Sequence, residues 1–290
     1  MLISLLLILY GYYTDRVAPR GDVVFQVGER KYTYAYLEER VKSDVAQGRF
    51  NLQDTATSIS ATVSRIQREE LTRLIGRQRN ITVSEAELTA GIRSDLGVTE
   101  ELTRNQLAPI LRDQLLAIEL TLDEYLAIVE SQVIEDKVKG ELTAALPAEA
   151  EQVNLLYIDA GSQANAIRAM QALEGGAEFA EVASQFSQHA ASSGDGVFGW
   201  TPREAIDPEL ADVAFSLSGR SEIIETEESF YIIEVLGKET RPVDPAVVED
   251  VGVAEFNKVL EAAFDETPFV YNLTQRQIFD LAGSVGGTFG

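Results

Sequence analysis

Residues 153–187 read VNLLYIDAGSQANAIRAMQALEGGAEFAEVASQFS, and they set the architecture of the second half of the chain. The first six residues, VNLLYI, are apolar enough to predict a buried strand. Two amphipathic segments follow at 162–173 and 179–186, and the helix-ending pair Gly175–Gly176 separates them. The order strand, helix, helix predicts a small α/β module.

The residues after this stretch complete the module. Residues 191–200 are rich in glycine and serine and predict a loop, and Pro208 opens a short helix that ends at 217. Two further strands are predicted at 221–226 and 230–236, joined by a hairpin turn.

The residues before the module have a different pattern. Residues 22–34 predict a hairpin, whereas residues 36–146 carry apolar residues at helical spacing. Ser84 with Glu87 and Thr121 with Glu124 match the S-x-x-E pattern that caps the start of a helix. Pro147 ends the helical pattern and marks a domain boundary. Beyond the module, helices are predicted at 253–264 and 274–281.

The composition excludes several kinds of chemistry. The 290-residue chain has no cysteine and one histidine, which excludes disulfides, thiolate nucleophiles and a histidine-based metal cage. We therefore predict no metal site and no cofactor. The formal net charge of −23 would repel phosphate backbones, so we predict no nucleic-acid partner.

The amino-terminal residues 1–14, MLISLLLILYGYYT, carry no side-chain charge and end in tyrosines, which settle at the boundary of water and lipid. This pattern predicts a membrane anchor. A helix of this length reaches about 21 Å, against a hydrocarbon core of about 30 Å, so the segment is short for a full span. A signal-peptide remnant and a buried hydrophobic arm are the alternatives.

Five segments of the later module carry a family resemblance: VNLLYI, GAEFAEVASQFS, GVFGW, DPELADVAFSLSG and SFYIIEVLGK. In their order and spacing, residues 151–240 resemble a parvulin-type (PpiC-like) peptidyl-prolyl isomerase, or rotamase, domain. Residues 22–146, which include FQVGERKYTYAYLEERV, ITVSEAEL and LTLDEYLAIV, are similar to the chaperone domain of exported foldases of the SurA and PrsA type. The resemblance implies that residues 247–282 can fold back onto that domain.

Pattern and resemblance together predict an α+β fold. It comprises a membrane anchor at 1–14, a mostly helical, chaperone-like domain at 22–146, a parvulin-like domain at 151–240 and a flexible tail at 283–290. The sheet of the parvulin-like domain is expected to be mainly antiparallel and four-stranded.

The resemblance also implies a reaction. Parvulins rotate an X–Pro peptide bond, whose barrier is about 18–20 kcal/mol. An apolar pocket holds the proline ring and the site favours the twisted amide, without a covalent intermediate. The family's pocket positions fall on Phe198, Ile206 and Leu210, with Phe215 as a supporting core residue. We expect the first three to bind substrate.

The polar positions of the family site are replaced in this sequence. Its two facing histidines correspond to Leu155 and Tyr231, and its loop cysteine or aspartate corresponds to His189. The acidic residue of its GGDLGW motif corresponds to Val197, with Asp195 two positions away. We therefore take Leu155, Tyr231 and His189 as degenerate catalytic positions, and we expect isomerase activity to be weak or lost.

These assignments have alternatives. Leu155 opposite Tyr231 is consistent with ordinary packing in a buried sheet, and Phe198, Ile206 and Leu210 are consistent with a closed core. His189 is consistent with a loop residue that has no role in the site.

The sequence therefore predicts a membrane-anchored foldase or chaperone that binds unfolded or proline-containing polypeptide. The resemblance places it outside the cytoplasm, on the periplasmic or cell-surface side. The alternative is a non-enzymatic docking or scaffold subunit of a membrane protein complex.

Overall fold

Two units divide the chain in a computed structural model that describes residues 18–188 and 196–286. Unit 1 comprises the residues up to Lys139 together with those from Phe256 onward, and unit 2 comprises Gly140–Glu255. The anchor expected at residues 1–14 and the site residue His189 lie outside the described residues.

The described ranges contain ten helices. They are α1 (Tyr34–Ala46), α2 (Thr55–Gln78), α3 (Glu85–Asp95), α4 (Arg104–Ile118), α5 (Leu122–Thr143), α6 (Gln163–Glu174), α7 (Phe179–Phe186), α8 (Pro208–Ser216), α9 (Pro245–Glu266) and α10 (Gln275–Gly286). None of these helices combines the length and the apolar composition that crossing a lipid bilayer requires.

Eight strands accompany the helices in the same ranges. They are β1 (Val23–Val27), β2 (Arg30–Thr33), β3 (Glu149–Asp159), β4 (Val197–Pro202), β5 (Gly219–Arg220), β6 (Ile224–Glu225), β7 (Phe230–Pro242) and β8 (Phe269–Tyr271). With antiparallel strands and helices in separate layers, the α+β class expected from the sequence is confirmed.

The helices of unit 1 follow the sequence pattern closely. Along α2, the apolar positions at helical spacing are all buried: Ile59, Val63, Ile66, Leu71 and Ile75. The predicted cap at the start of α3 is present, since the Glu87 carboxylate accepts from the Ser84 backbone N–H at 2.7 Å. At the start of α5, Glu124 accepts in the same way from the Thr121 N–H at 3.0 Å.

A buried ion pair joins α1 to α2 within unit 1. The guanidinium of Arg40, which is 4% exposed, donates to both carboxylate oxygens of Glu69 at 2.6 and 2.9 Å. It also donates to the Tyr36 hydroxyl at 3.0 Å. Because an arginine stays charged at every accessible pH, Glu69 provides the charge compensation that its burial requires.

Unit 1 also contains a three-stranded antiparallel sheet in the order β2-β1-β8. The hairpin of β1 and β2 was expected, but β8 was not. Strand β8 lies between the two helices predicted at 253–264 and 274–281, and it is only three residues long. Through β8, residues near the carboxyl end pair with residues near the amino end of the described chain.

Unit 2 is built on a five-stranded antiparallel sheet in the order β4-β3-β7-β5, with β6 also paired to β7. The expected count of four strands is wrong. The segment predicted as one strand at 221–226 is interrupted, because the Ser221 hydroxyl accepts from the Ile233 N–H at 3.0 Å in place of a backbone carbonyl. Strand β4 also occupies residues that were expected to form a loop.

The flexible tail predicted at 283–290 does not begin at residue 283. Helix α10 continues to Gly286, and Leu281 and Val285 on this helix are 0% and 1% exposed. A buried side chain in the last turn holds residues 283–286 in the helix, so this part of the expectation is wrong. Residues 287–290 lie beyond the described chain.

Candidate functional site

The candidate site lies on one face of the unit 2 sheet. Strand β3 places Leu155, Tyr157 and Asp159 on this face, because side chains two residues apart point the same way. Their partners on β7 are Val235, Ile233 and Tyr231, respectively. Helix α8 packs against this face, whereas α6 and α7 pack against the opposite face, around Ile158 and Ile232.

Leu155 lies in the hydrophobic core of this face. It is 2% exposed and packs in one cluster with Ile206, Leu210 and Ile233. Ile206 and Leu210 are each 8% exposed, so two of the three expected pocket residues are largely covered. The position where the resemblance leads us to expect a histidine is therefore apolar in its side chain and also in its surroundings.

Phe198 is the exposed member of the expected pocket. It projects from β4 with 44% of its surface accessible, and its ring meets the ring of Tyr157 edge-on at a centroid distance of 5.3 Å. Tyr157 also packs against the cluster that holds Leu155, Ile206 and Leu210. Tyr157 therefore links the exposed ring of Phe198 to the cluster in which Ile206 and Leu210 are largely buried.

Tyr231 lies beside a buried carboxylate. It is the register partner of Asp159, which is 5% exposed and accepts from the Gly161 N–H at 3.1 Å and from the Ser229 hydroxyl. Burial raises the pKa of the Tyr231 phenol above its usual value of 10.0, and the negative charges of Asp159, Glu228 and Asp207 raise it further. The phenol therefore stays neutral at physiological pH.

Tyr157 and Asp159 were not identified from the sequence. Burial, followed by the charge of Asp159, raises the pKa of the Tyr157 phenol, so the site face carries two neutral phenols and one carboxylate. The i, i+2 and i, i+4 spacing from Leu155 along a predicted strand was the signal that could have found them.

The remaining expected residues have mixed positions. Phe215 is partly buried beside the cluster, and the guanidinium of Arg203 lies 4.7 Å from its ring centroid. Val197 begins β4 and is 46% exposed, whereas His189 and Asp195 lie outside the described chain.

The site can hold an apolar group but offers little proton-transfer chemistry. Phe198 and Tyr157 form an aromatic pair, and Tyr157 packs against the cluster that contains Ile206 and Leu210. Within residues 18–188 and 196–286, no cluster of three or more histidine, cysteine, aspartate or glutamate side chains is arranged to hold a metal ion.

Unit 1 contains a separate apolar groove with a volume of about 290 Å³. Its lining is almost entirely aliphatic and comes from α3, α4 and the start of α5: Ile92, Leu107, Leu111, Leu115, Leu122 and Leu126. Leu116 on α4 is 73% exposed. Unit 1 therefore exposes an aliphatic surface along these helices.

Comparison with known proteins agrees with the geometry of unit 2. The model of the PPIC-type PPIase domain matches residues 143–239, which include every described residue of the site. A peptidyl-prolyl cis-trans isomerase, pin4 of Neurospora crassa, is 30% identical over 95 residues, which cover 31% of this chain and 72% of that protein.

Similarity to solved structures extends over more of the chain than unit 2. The peptidylprolyl isomerase PrsA of Bacillus anthracis is 16% identical to this chain and has a TM-score of 0.43. The matched region covers 70% of this chain and 96% of the PrsA chain. A SurA-like chaperone of Campylobacter jejuni is also 16% identical and has a TM-score of 0.30. The matched region covers 84% of this chain and 96% of the chaperone chain.

The family match contains the sheet, the helix α8 and the aromatic pair described above, and the curated relative is matched over most of its length. The chain therefore belongs to the parvulin-type (PpiC) family of peptidyl-prolyl cis-trans isomerases.

Proposed function

We propose that this protein is a membrane-anchored, extracytoplasmic foldase or chaperone that binds proline-containing polypeptide in unit 2 and has weak or no isomerase activity. The observation that supports this proposal is the environment of Leu155 and Tyr231, the two residues that the resemblance aligns with the family histidines. Leu155 is enclosed in apolar core, and Tyr231 carries a phenol with a raised pKa. Neither group can exchange a proton near neutral pH, as an imidazole does.

The proposed holding role rests on two apolar surfaces, one in each unit. In unit 2, Phe198 and Tyr157 present an aromatic surface that suits a proline ring. In unit 1, the groove between α3 and α4 suits an unfolded apolar segment. A protein that binds through such surfaces does not need rapid isomerisation to keep a client from aggregating.

Turnover of an X–Pro peptide tests the loss of activity. We expect the full chain to have a kcat/KM at least about 100-fold below that of a parvulin that retains both histidines, because a single polar group at a preorganised site is commonly worth this much. The measurement is a protease-coupled isomerisation assay with both proteins in parallel. A kcat/KM within a few fold of that parvulin's would contradict the proposal.

Peptide affinity tests the aromatic surface. We expect Phe198→Ala to weaken the binding of a fluorescent alanine–proline peptide about tenfold, which is about 1.4 kcal/mol. The ring is 44% exposed, so its removal leaves the core intact. Leu236→Ala is the matched control, because Leu236 is 56% exposed on β7 and is not part of the site. Equal effects of the two substitutions on the fluorescence anisotropy of the peptide would show that Phe198 does not contribute to the binding surface.

Membrane extraction tests the anchor. We expect the full chain to stay with the membrane fraction after an alkaline carbonate wash, and a variant without residues 1–14 to be released, since the uncharged segment MLISLLLILYGYYT is the proposed attachment. Appearance of both forms in the soluble fraction would contradict anchoring. Protease added to intact cells then tests whether the body is extracytoplasmic.

A scaffold subunit is the second candidate function, and one observation favours it. Ile206 and Leu210 are only 8% exposed, so a proline ring has limited access to two of the expected pocket walls. A scaffold would co-purify with one partner at fixed stoichiometry, and Phe198→Ala would leave that partnership unchanged. A foldase would instead bind proline peptides in a Phe198-dependent way.

A further inference from the structure

The edge strand β8 of unit 1 presents a run of apolar side chains to solvent. Phe269, Val270 and Tyr271 are 38%, 45% and 44% exposed. Among the residues that the structure describes, β8 pairs with β1 alone. We propose that this edge binds an extended, apolar segment of another protein, flanked by basic rather than acidic residues, by strand addition. This interaction is independent of the proline site.

Some backbone groups of β8 have no hydrogen-bond partner among residues 18–188 and 196–286. The Gly28 N–H donates to the Pro268 carbonyl and the Asn272 N–H donates to the Val24 carbonyl, both at 2.8 Å. Since bonding positions alternate along an antiparallel strand, residues 268, 270 and 272 bond to β1. Phe269 and Tyr271 therefore direct their N–H and C=O groups outward, where an incoming strand can pair with them.

The side chains beside this edge favour an apolar strand. The rings of Phe269 and Tyr271 lie on the same face with centroids 6.2 Å apart, and Phe269 is 6.4 Å from the buried ring of Phe25. Alternate side chains of an added strand would lie against these rings, in the manner of cross-strand pairs within a sheet.

The opposite edge of the same sheet is protected. Strand β2 carries Arg30 and Lys31, both exposed, and charged residues on an edge strand discourage the addition of another strand. Strand β8 has the sequence FVY and carries no charge. The two edges of one sheet thus differ in the property that controls strand addition, which points to β8 as the binding edge.

Charge favours another protein over a second copy of this chain. Each copy would bring a net charge of −23, and the exposed acidic residues Asp265 and Glu266 end α9, two residues before β8 begins. Such charge opposes self-association and favours a partner strand with basic flanks.

Amide hydrogen exchange on the full chain in detergent micelles tests the proposal. The probe is a strand of about six alternating valine and threonine residues with lysine at both ends. We expect this peptide to slow exchange at the Phe269 and Tyr271 amides at least about tenfold, because a newly formed hydrogen bond protects each amide. The Val270 amide, already bonded to β1, should change little. The same peptide with every amide N-methylated should not bind, and a glutamate-ended version should bind more weakly.

Two variants locate the interaction. Tyr271→Pro removes an outward N–H without removing a bond to β1, and Phe269→Lys places a charge on the edge. Each should weaken peptide binding at least about tenfold. Tyr271→Phe keeps the N–H, the ring and the strand propensity, so it should bind as the natural protein does. If Tyr271→Pro alters the thermal unfolding of unit 1, Phe269→Lys still provides the test.

Several results would overturn the proposal. Slow exchange at Phe269 and Tyr271 in the peptide-free monomer would mean that the chain itself covers the edge. A dimer in which both amides are protected would make a second copy the occupant. Equal binding of the N-methylated peptide would indicate adsorption without strand pairing. Phe198→Ala should leave binding at β8 unchanged, so failure of the proline site and failure of this proposal can be told apart.

Discussion

Substitution of Gly196 by alanine is expected to lower the free energy of unfolding of unit 2 by about 2–4 kcal/mol. Gly196 has a φ of +75°, which disfavours any side chain. An added Cβ would lie 2.7 Å from the Cβ of Ala183 and 2.9 Å from the carbonyl oxygen of Tyr157. Both neighbours belong to packed elements, so the clash cannot be relieved by moving the end of a flexible side chain.

Gly199→Ala is the matched control for this prediction. Gly199 has a φ of +81°, but an added Cβ would meet nothing within 4 Å, so only the backbone cost of about 1 kcal/mol applies. Trp200, the single tryptophan of the chain, lies in β4 and reports the denaturation of unit 2 by fluorescence. Equal losses in the two variants would show that the close approach at Gly196 does not matter.

The second large effect is expected in unit 1. Glu69→Ala should lower the free energy of unfolding of unit 1 by about 3–5 kcal/mol, because it leaves the guanidinium of Arg40 buried without a counter-charge. The Tyr36 hydroxyl would remain as a neutral partner, which cannot balance the charge. Denaturation followed by far-ultraviolet circular dichroism measures the loss, since most helices belong to unit 1.

A double variant separates lost charge compensation from lost packing. The double variant Arg40→Met, Glu69→Leu removes both charges and keeps a similar side-chain volume. Its free energy of unfolding should therefore lie within about 1–2 kcal/mol of that of the natural protein. An exposed ion pair provides the comparison for a small effect. Asp113→Ala breaks the contact with Arg112, in which both side chains are over two-thirds exposed. It should lower the free energy of unfolding by well under 1 kcal/mol. A loss for Glu69→Ala as small as that of Asp113→Ala would contradict burial of the pair.

The candidate site of this protein combines an exposed aromatic ring, Phe198, with an apolar core around Leu155. The sequence correctly identified the family. That Leu155 and Tyr231 stand where the family carries its histidines stays a prediction. That Phe198, Ile206 and Leu210 bind proline stays a prediction. Their burial differs, however, with Phe198 at 44% exposure and the other two at 8%, and no sequence pattern distinguished them.

Local patterns predicted local structure well. The apolar stripe of α2 is buried as its 3.6-residue period requires, and the caps of α3 and α5 form as their S-x-x-E and T-x-x-E spacing indicates. Predictions that depended on distant partners failed more often. The glycine and serine residues of 191–200 predict a loop, yet β3 supplies the partner that makes residues 197–202 a strand.

The amino-acid sequence by itself determined the α+β class, the isomerase family, the helical stripes and caps, and the absence of cysteine and of a second histidine. These properties follow from residue type and short spacing, which act within a few turns of chain. Only the tertiary structure decided that Tyr157 joins Phe198 to the core and that β8 completes the sheet of β1 and β2 with an open apolar edge. Both depend on pairing between residues far apart in sequence, and the free energy of such pairing comes from burial and hydrogen bonds that exist only once the chain has folded.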